Sequence, residues 1–312
     1  MAAAMKSVSS VVITQNSDIS DIEDALSAAL EHIPLEPLVR GKVVAVKPND
    51  TWASKEDTTG VTQPDTLGGV LRYLKAFGPR ELVVTGGSGA AQTEDVFRVS
   101  GMMDVVNAEG NKFFDHNRPP FKDVQLEYEP SKDVQGPQKA VKVNPQVLEY
   151  QTLISLAQLK LHETATVTLS LKNIAMSFPA ADYYGHPRHS QKAPNVFFAD
   201  MHSFIAAMAK RFHIDLAIIV GHPAMIGSGP LGGYPVESGI MIASTDAVAA
   251  DVVGARLLGF RAQAVRHLWE AGKLGLGQTD TDEMRFPAMS LEQAIKAFTQ
   301  VAYGQELTFK HA

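Results

Sequence analysis

Cysteine is absent from all 312 residues of the chain. This absence excludes disulfides, zinc sites with thiolate ligands, cysteine nucleophiles and iron–sulfur clusters held by cysteine. A divalent metal would have to bind His, Asp, Glu or backbone oxygen. The sequence also lacks a run of roughly 20 apolar residues that could cross a membrane, and its first 18 residues do not read as a signal peptide. We therefore expect a cytoplasmic protein that is not inserted in a membrane.

The sequence also has no excess of positive charge. It contains 28 Lys and Arg and 34 Asp and Glu, which give a net charge of −6. This balance gives no general attraction to nucleic acid or to anionic membranes, so neither is an expected partner. Hydrophobic residues make up 45% and charged residues 20% of the chain, which is typical of a globular protein with a large core. A homodimer is a hypothesis that rests only on the general frequency of such assemblies.

The first part of the chain alternates between strand and helix patterns. Residues 42–46 and 81–85 read as buried strands, and apolar residues at helical spacing lie between them, after Pro64 and with Asp65 as the predicted N-cap. A strand–helix–strand unit of this length joins parallel strands. We therefore expect an α/β fold with a mainly parallel sheet flanked by helices.

The rest of the chain adds a less regular insert and further alternating elements. Residues 124–128 and 140–143 are short strand candidates that predict a small inserted antiparallel piece. No linker is visible, so we expect a single α/β unit over residues 1–312. The remaining predicted strands are residues 152–156, 214–220 and 240–243. The remaining predicted helices are one through Ile22, Leu26 and Leu30 that ends before Pro34, and residues 197–210, 245–258, 261–271 and 290–301.

Polar or glycine-rich segments follow two of the predicted strands. Lys47 and Asn49 come directly after the first, where ligands bind in open parallel sheets, so they are candidates for holding an anion. The alternative is an ordinary Pro-Asn-Asp turn. The second strand is followed by glycines whose backbone could approach a phosphate or carboxylate, although a tight turn without a ligand explains them equally well. These residues are Gly86, Gly87, Ser88 and Gly89.

The segment from residue 161 to 173 permits two conformations. As one strand it would place His162 and Lys172 about 33 Å apart, too far for a shared site. As a bend, with Thr168 capping a helix, it would bring His162 close to Lys172 and Asn173. The bend predicts that His162 and Lys172 act together at a catalytic or anion-binding site.

Two further segments carry candidate ligands. His186 and His189 are three residues apart, a spacing that suits a shared metal ion or an anion, although two ligands do not complete a metal site. Gly227, Ser228 and Gly229 lie in a glycine-rich loop expected over residues 221–239, which indicates either backbone approaching a ligand or a long ordered loop. Near the loop, Asp246 is expected to stabilise a helix N-terminus, with Ser244 or Thr245 as its cap, and neither Asp246 nor Asp251 is expected to be catalytic.

Several of these motifs, in this order, resemble the family known as domain of unknown function 362. The resemblance spans residues 40–260, followed by C-terminal helices in residues 261–312. It implies an α/β fold with a site at the strand ends, and it adds Thr62 to the candidate ligand-binding residues. Many members carry an appended iron–sulfur module, which a chain without cysteine lacks. Where relatives often carry acidic residues, this chain has Val220 and Ile226. The motifs are Val46-Lys-Pro-Asn49, Thr62-x-Pro64, Ser100-Gly101, Lys160-x-His162, Thr168 with Lys172-Asn173, Gly227-x-Gly-Pro230, and Ser244-x-Asp246 with Asp251.

The sequence is also similar, more remotely, to the N-terminal domain of the nickel-pincer lactate racemase family. In that family a histidine precedes by ten residues a lysine that bears the cofactor, and a later histidine ligates nickel. Here His162 precedes Lys172 by ten, and His186 and His189 follow. The surrounding glycine pattern is missing and Asn173 stands in its place.

Two function hypotheses follow. The first is an enzyme or cofactor-handling protein that binds an anionic small molecule or a metal cofactor at the carboxyl ends of its strands. The second is a non-catalytic small-molecule binding module that has lost metal chemistry, suggested by Val220 and Ile226. A purely structural interaction protein fits the clustered polar loops least well.

Overall fold

A nine-stranded mixed sheet lies at the centre of the part of the chain that the computed structural model describes, namely residues 8–16, 22–127, 140–186 and 200–307. Two further strands form a separate small sheet. The strands are β1 (Val12–Gln15), β2 (Val43–Pro48), β3 (Glu81–Gly86), β4 (Lys112–Asp115), β5 (Lys122–Gln125), β6 (Ala140–Val143), β7 (Thr152–His162), β8 (Thr166–Thr168), β9 (Leu216–Ile226), β10 (Tyr234–Val236) and β11 (Ile240–Ser244).

Helices cover both faces of this sheet. They are α1 (Ile22–Leu30), α2 (Leu35–Val39), α3 (Pro64–Lys75), α4 (Thr93–Val99), α5 (Met102–Ala108), α6 (Ser170–Ala175), α7 (Ala181–Tyr184), α8 (Met201–Arg211), α9 (Ala247–Leu257), α10 (Arg266–Lys273) and α11 (Leu291–Tyr303), with 3-10 turns at Pro145–Leu148, Ala262–Ala264 and Thr281–Glu283.

The strand order in the large sheet is β1-β11-β9-β7-β2-β3-β4. The strands from β9 to β4 run parallel to their neighbours, while β11 and β1 are added antiparallel at one edge. Strands β5 and β6 pair antiparallel in the separate sheet. The predicted α/β class, the mainly parallel sheet and the small antiparallel insert are confirmed.

The buried strands divide their side chains between two hydrophobic cores. On β2, Val44 and Val46 face a core built with α1 to α5, whereas Ala45 faces the core built with α6 to α11. On β9, Ile218 faces the core built with α1 to α5, and Ile219 faces the core built with α6 to α11. Because alternate residues of a strand point to opposite faces, a sheet covered on both sides requires continuous apolar runs, which is the pattern in the sequence.

Two central strands are longer than the sequence predicts. The prediction ended β7 at residue 156 and β9 at residue 220, but the structure extends β7 to His162 and β9 to Ile226. The loop expected over residues 221–239 is therefore wrong in part, since the end of β9 pairs with β10. At Gly229 a Cβ would collide with the carbonyl of Leu161, so the remaining glycine loop packs directly on the end of β7.

The helix caps differ from those predicted at three helices. Helix α3 has Gln63 as its N-cap instead of Asp65, and α9 is capped by Asp246, whose carboxylate accepts the Ala249 N–H at 2.9 Å. Thr168 does not cap α6; instead Asp251, from the middle of α9, accepts the N–H groups of Ser170 and Leu171 at 2.8 and 2.9 Å. The carboxyl group of Asp251 therefore fixes the start of the helix that carries Lys172 and Asn173.

We predict that Asp251→Ala lowers the free energy of unfolding by about 1–3 kcal/mol, because two buried N–H groups lose their acceptor. Burial raises the pKa of Asp251 to about 7, against the hydrogen bonds from Leu171 and Ser170. Urea denaturation at pH 4, near the ordinary pKa of an aspartate, therefore measures mainly the loss of hydrogen bonds, because little free energy is spent there on protonating Asp251. Asp104→Ala, on an exposed position of α5, is the matched control. Equal stability of the two variants would show that Asp251 does not hold α6.

Candidate functional site

A cavity of about 260 Å³ opens at the carboxyl ends of β2, β3 and β7. Its wall combines charged and polar side chains with an apolar part. The polar wall is formed by Lys47, Asn49, Asp50, Thr51, Gly87, Gly89, His162, Glu163, Thr164, Thr168, Lys172, Asn173 and Ser177, and the apolar part by Ala90, Met176, Met201, Pro230 and Leu231. The position follows from the fold, since the loops that leave the carboxyl ends of neighbouring parallel strands meet at one edge.

Lys47 is held by an ion pair at the end of β2. Its ammonium lies 2.5 Å from Oδ1 of Asp50, and both side chains are buried. The other oxygen of Asp50 accepts the backbone N–H of Gly87 at 2.8 Å, which joins the end of β2 to the turn after β3. Since Asp50 is engaged on both oxygens, its charge is committed to Lys47.

Asn173 connects α6 to this ion pair. Its Oδ1 accepts hydrogen bonds from Lys47 Nζ at 3.1 Å and from Asn49 Nδ2 at 3.3 Å. Its Nδ2 donates to the carbonyl of Lys47 and to Ser155 Oγ, both at 3.1 Å. With acceptor and donor both used, the amide has a defined orientation and fixes the polar wall of the cavity.

A second lysine is buried behind the polar wall. Lys160 donates to Asn49 Oδ1 and to the carbonyl of Gly60, both at 2.8 Å. Burial lowers the pKa of Lys160 well below its usual value, and the charges of Lys172 and Lys47 lower it further. Thr62 accepts the N–H of Asn49 at 2.8 Å, so it supports the site from behind and does not line the cavity.

Lys172 is the third buried lysine, and it lines the cavity directly. The residue is only 6% exposed, yet within the described residues its ammonium makes no hydrogen bond and no ion pair. Burial lowers the pKa of Lys172 to about 7, and the neighbouring charge of Lys47 acts in the same direction. A buried ammonium in this position is strongly destabilised unless it loses its proton or gains an anionic partner.

Two neutral donors line the cavity together with Lys172. The hydroxyl of Thr168 is buried and has no hydrogen-bond partner in the described part of the chain. The Nδ1 atom of His162 accepts the N–H groups of Thr164 and Ala165, both at 3.1 Å, which places the ring proton on Nε2. Burial lowers the pKa of His162 to about 2, and Lys172 contributes, so this imidazole is neutral.

A buried histidine supports the turn after β3. The Nδ1 atom of His116 lies 2.8 Å from Thr85 Oγ1, and its Nε2 lies 3.0 Å from both the carbonyl and the hydroxyl of Ser177. A Cβ at Gly87 would occupy the space of the His116 ring. A glycine is therefore required where the Gly87 N–H approaches Asp50.

The structure brings most of the predicted anion-binding residues together and leaves others outside. The end of β7 turns back through β8 into α6, so the bent conformation of residues 161–173 is the one observed. Gly86 and Ser88 are buried next to α4 and do not line the cavity. Residues 227–229 do not line it either, although Pro230 and Leu231, which follow them, do. The predicted residues that line the cavity are Lys47, Asn49, Gly87, Gly89, His162, Lys172 and Asn173.

The histidines predicted to bind a metal do not line this cavity as far as they are described. His186 lies 3.2 Å from the carbonyl of Ala91 and 3.0 Å from the carboxylate of Asp182. His189 falls outside the described residues. Within the described ranges, no three His, Asp or Glu side chains converge as metal ligands. A metal role for His186 and His189 stays a prediction.

Sequence reasoning missed several residues of the site, and four of them make or offer its main polar contacts. Lys160 could have been found, since Gln158, Lys160 and His162 alternate along one face of an extended β7. The ion pair of Asp50 was signalled weakly by its spacing of three from Lys47. Asp251 gave no local signal, because its partners lie 81 and 80 positions away in the chain. Thr168 was treated as a cap, whereas its hydroxyl is an unused donor.

Comparisons with known proteins give a family and one distant relative. No helix in the described ranges is long and apolar enough to cross a membrane. A thylakoid-associated protein of Synechocystis sp. is 28% identical over 147 residues, which are 47% of this chain and 44% of that relative, so the match covers less than half of the relative's length. No solved structure matches. The likeness to the nickel-pincer lactate racemase family stays a prediction. The model of the family described as domain of unknown function DUF362 matches residues 44–256, more than half of the chain, and the protein therefore belongs to this family.

Proposed function

We propose that the cavity at the ends of β2, β3 and β7 binds a small anionic molecule. The observation that carries this proposal is Lys172, a buried ammonium that lines the cavity without a carboxylate partner in the described residues. Asp50 makes no ion pair with Lys172 in the described residues, and its oxygens contact Lys47 and the Gly87 N–H instead. A carboxylate or phosphate oxygen would supply the missing charge.

The neutral donors support an anion over a neutral ligand. The Nε2–H of His162 and the hydroxyl of Thr168 face no acceptor among the described residues. An oxyanion has several lone pairs and can accept hydrogen bonds from both while it pairs with Lys172. Glu163 also lines the cavity, but it is exposed and makes no ion pair with Lys172 in the described part of the chain.

The cavity's size and apolar part limit the ligand. About 260 Å³ suits a molecule smaller than most drug-sized ligands. Met176, Met201 and Leu231 also line the cavity, so the ligand is expected to carry an apolar portion beside its anionic group. The same arrangement suits an enzyme substrate or the ligand of a binding module.

We predict that Lys172→Met abolishes binding of oxalate and inorganic phosphate, measured by isothermal titration calorimetry at pH 6.5. Thr168→Val should weaken binding by about tenfold, since one hydrogen bond to an anion is lost. Lys122→Met, an exposed lysine on β5, is the matched control and should bind as the unchanged protein does. Undiminished binding by Lys172→Met would refute the proposal.

The affinity for oxalate should fall as the pH rises above 7. The anion pairs with the protonated amine of Lys172, whose pKa is about 7 in the empty site. Above that pH one proton must be taken up with each anion, so the affinity decreases by up to about tenfold per pH unit. Calorimetry in buffers of different ionisation enthalpy at pH 8 should detect this proton uptake. An affinity that does not change between pH 6 and pH 9 would contradict the assignment of Lys172.

Lys172→Met should also raise the thermal stability of the empty protein in a pH-dependent way. A pKa lowered from 10.5 to about 7 means that the folded state holds this proton less tightly than the unfolded state. The buried ammonium of Lys172 therefore lowers the free energy of unfolding. This loss is largest below pH 7 and disappears as the pH rises to 10.5. Scanning calorimetry at pH 6 should give a higher melting temperature, by at most about 2–4 °C for each kcal/mol recovered, with the difference shrinking at pH 10. A difference in melting temperature that does not depend on pH would contradict the lowered pKa of Lys172.

A further inference from the structure

We propose that Lys172 forms a reversible imine with small carbonyl compounds that carry an anionic group, so that the site performs covalent chemistry on its ligand. This inference rests on the proposed binding of an anion in the same cavity. It concerns the class of ligand and the reaction, neither of which follows from charge alone.

Lys172 is the amine at this site that is available for reaction. A lysine must present an uncharged, unshielded nitrogen to attack a carbonyl carbon. Lys47 is engaged by the carboxylate of Asp50, and Lys160 donates to Asn49 and Gly60 behind the cavity wall. Lys172 lines the cavity and donates to no acceptor in the described residues.

The surroundings of Lys172 also favour its unprotonated form. Its side chain is buried, and the neighbouring ammonium of Lys47 opposes a second positive charge. These are the two circumstances, desolvation and an adjacent cation, that activate lysine as a nucleophile in proteins. A pKa lowered to about 7 favours the free amine of Lys172 at neutral pH far more than the ordinary pKa of a lysine does.

The reaction balances without an oxidant or a reductant. The Nζ lone pair of Lys172 forms a bond to the carbonyl carbon, and the C=O π pair moves to oxygen. A proton passes from nitrogen to that oxygen and gives a neutral carbinolamine. A second proton, from solvent, joins the hydroxyl group, which leaves as water while the nitrogen lone pair forms the C=N bond. The sum is amine, carbonyl and one proton giving iminium and water.

The neighbouring donors suit the oxygen that develops in this reaction. The hydroxyl of Thr168 and the Nε2–H of His162 line the same cavity and can donate to the carbinolamine oxygen. The iminium product restores a positive charge beside Lys47. An anionic group on the same ligand would offset that charge, which is why we assign carbonyl compounds bearing a carboxylate or a phosphate.

Borohydride trapping tests this inference on the full chain. The protein is incubated with pyruvate or with dihydroxyacetone phosphate, reduced with sodium borohydride, and digested for mass spectrometry. We expect a reduced adduct on the peptide containing Lys172, formed at least about tenfold faster than on any exposed lysine. Acetone, which lacks an anionic group, should give no adduct at the same concentration. The more reactive of pyruvate and dihydroxyacetone phosphate identifies carboxylate or phosphate as the preferred group.

The pH dependence and two variants separate this inference from simple anion binding. The trapping rate should rise between pH 6 and pH 8, whereas affinity for oxalate should fall over the same interval. Lys172→Arg keeps the charge but has no nucleophilic amine, and it should lose the adduct; Lys122→Met should keep it. If oxalate binds but Lys172 is not trapped, the imine is refuted while the binding function stands. If neither occurs, both proposals fail.

Discussion

Three lysine side chains are buried at one edge of the sheet, and one buried aspartate pairs with one of them. The properties of the site depend on this excess of buried lysines over buried carboxylates. Asp50 neutralises Lys47 and, through Gly87, joins the ends of two strands. Lys160 is satisfied by neutral oxygens, and Lys172 is left facing the cavity. Burying an unpaired ammonium costs free energy that folding must offset elsewhere, which is typical of functional sites where stability is given up for chemistry.

The fold concentrates these groups by extending two of its strands. β7 continues beyond its neighbour β2 and ends in His162, and the short hairpin to β8 reverses the chain so that α6 returns over the strand ends. Helix α6 is short, and its first N–H groups are held by Asp251 from α9. The position of Lys172 therefore depends on contacts made far along the chain, and a site built in this way is ordered before any ligand arrives.

Local sequence predicts the sheet well because the sheet is covered on both faces. Continuous apolar runs identified β2, β3 and β9, and helical spacing between Pro64 and Lys75 identified α3. Local sequence predicts the site less completely, because two of its features arise from contacts between residues far apart in the chain. The cap from Asp251 joins residues about 80 positions apart, and the burial that lowers the pKa of Lys172 arises from tertiary packing. The ends of β7 and β9 were missed since polar residues and glycines there resemble loops.

The central claim is that Lys172 is a buried, unpaired amine whose proton is easily lost. Heteronuclear NMR of protein labelled with ¹³C at the lysine Cε atoms measures it directly, with Lys172→Arg used to assign the resonance. We expect the Lys172 resonance to titrate near pH 7 in the empty protein and at higher pH when oxalate saturates the site. A resonance that titrates near pH 10.4, as exposed lysines do, with or without oxalate, would contradict it.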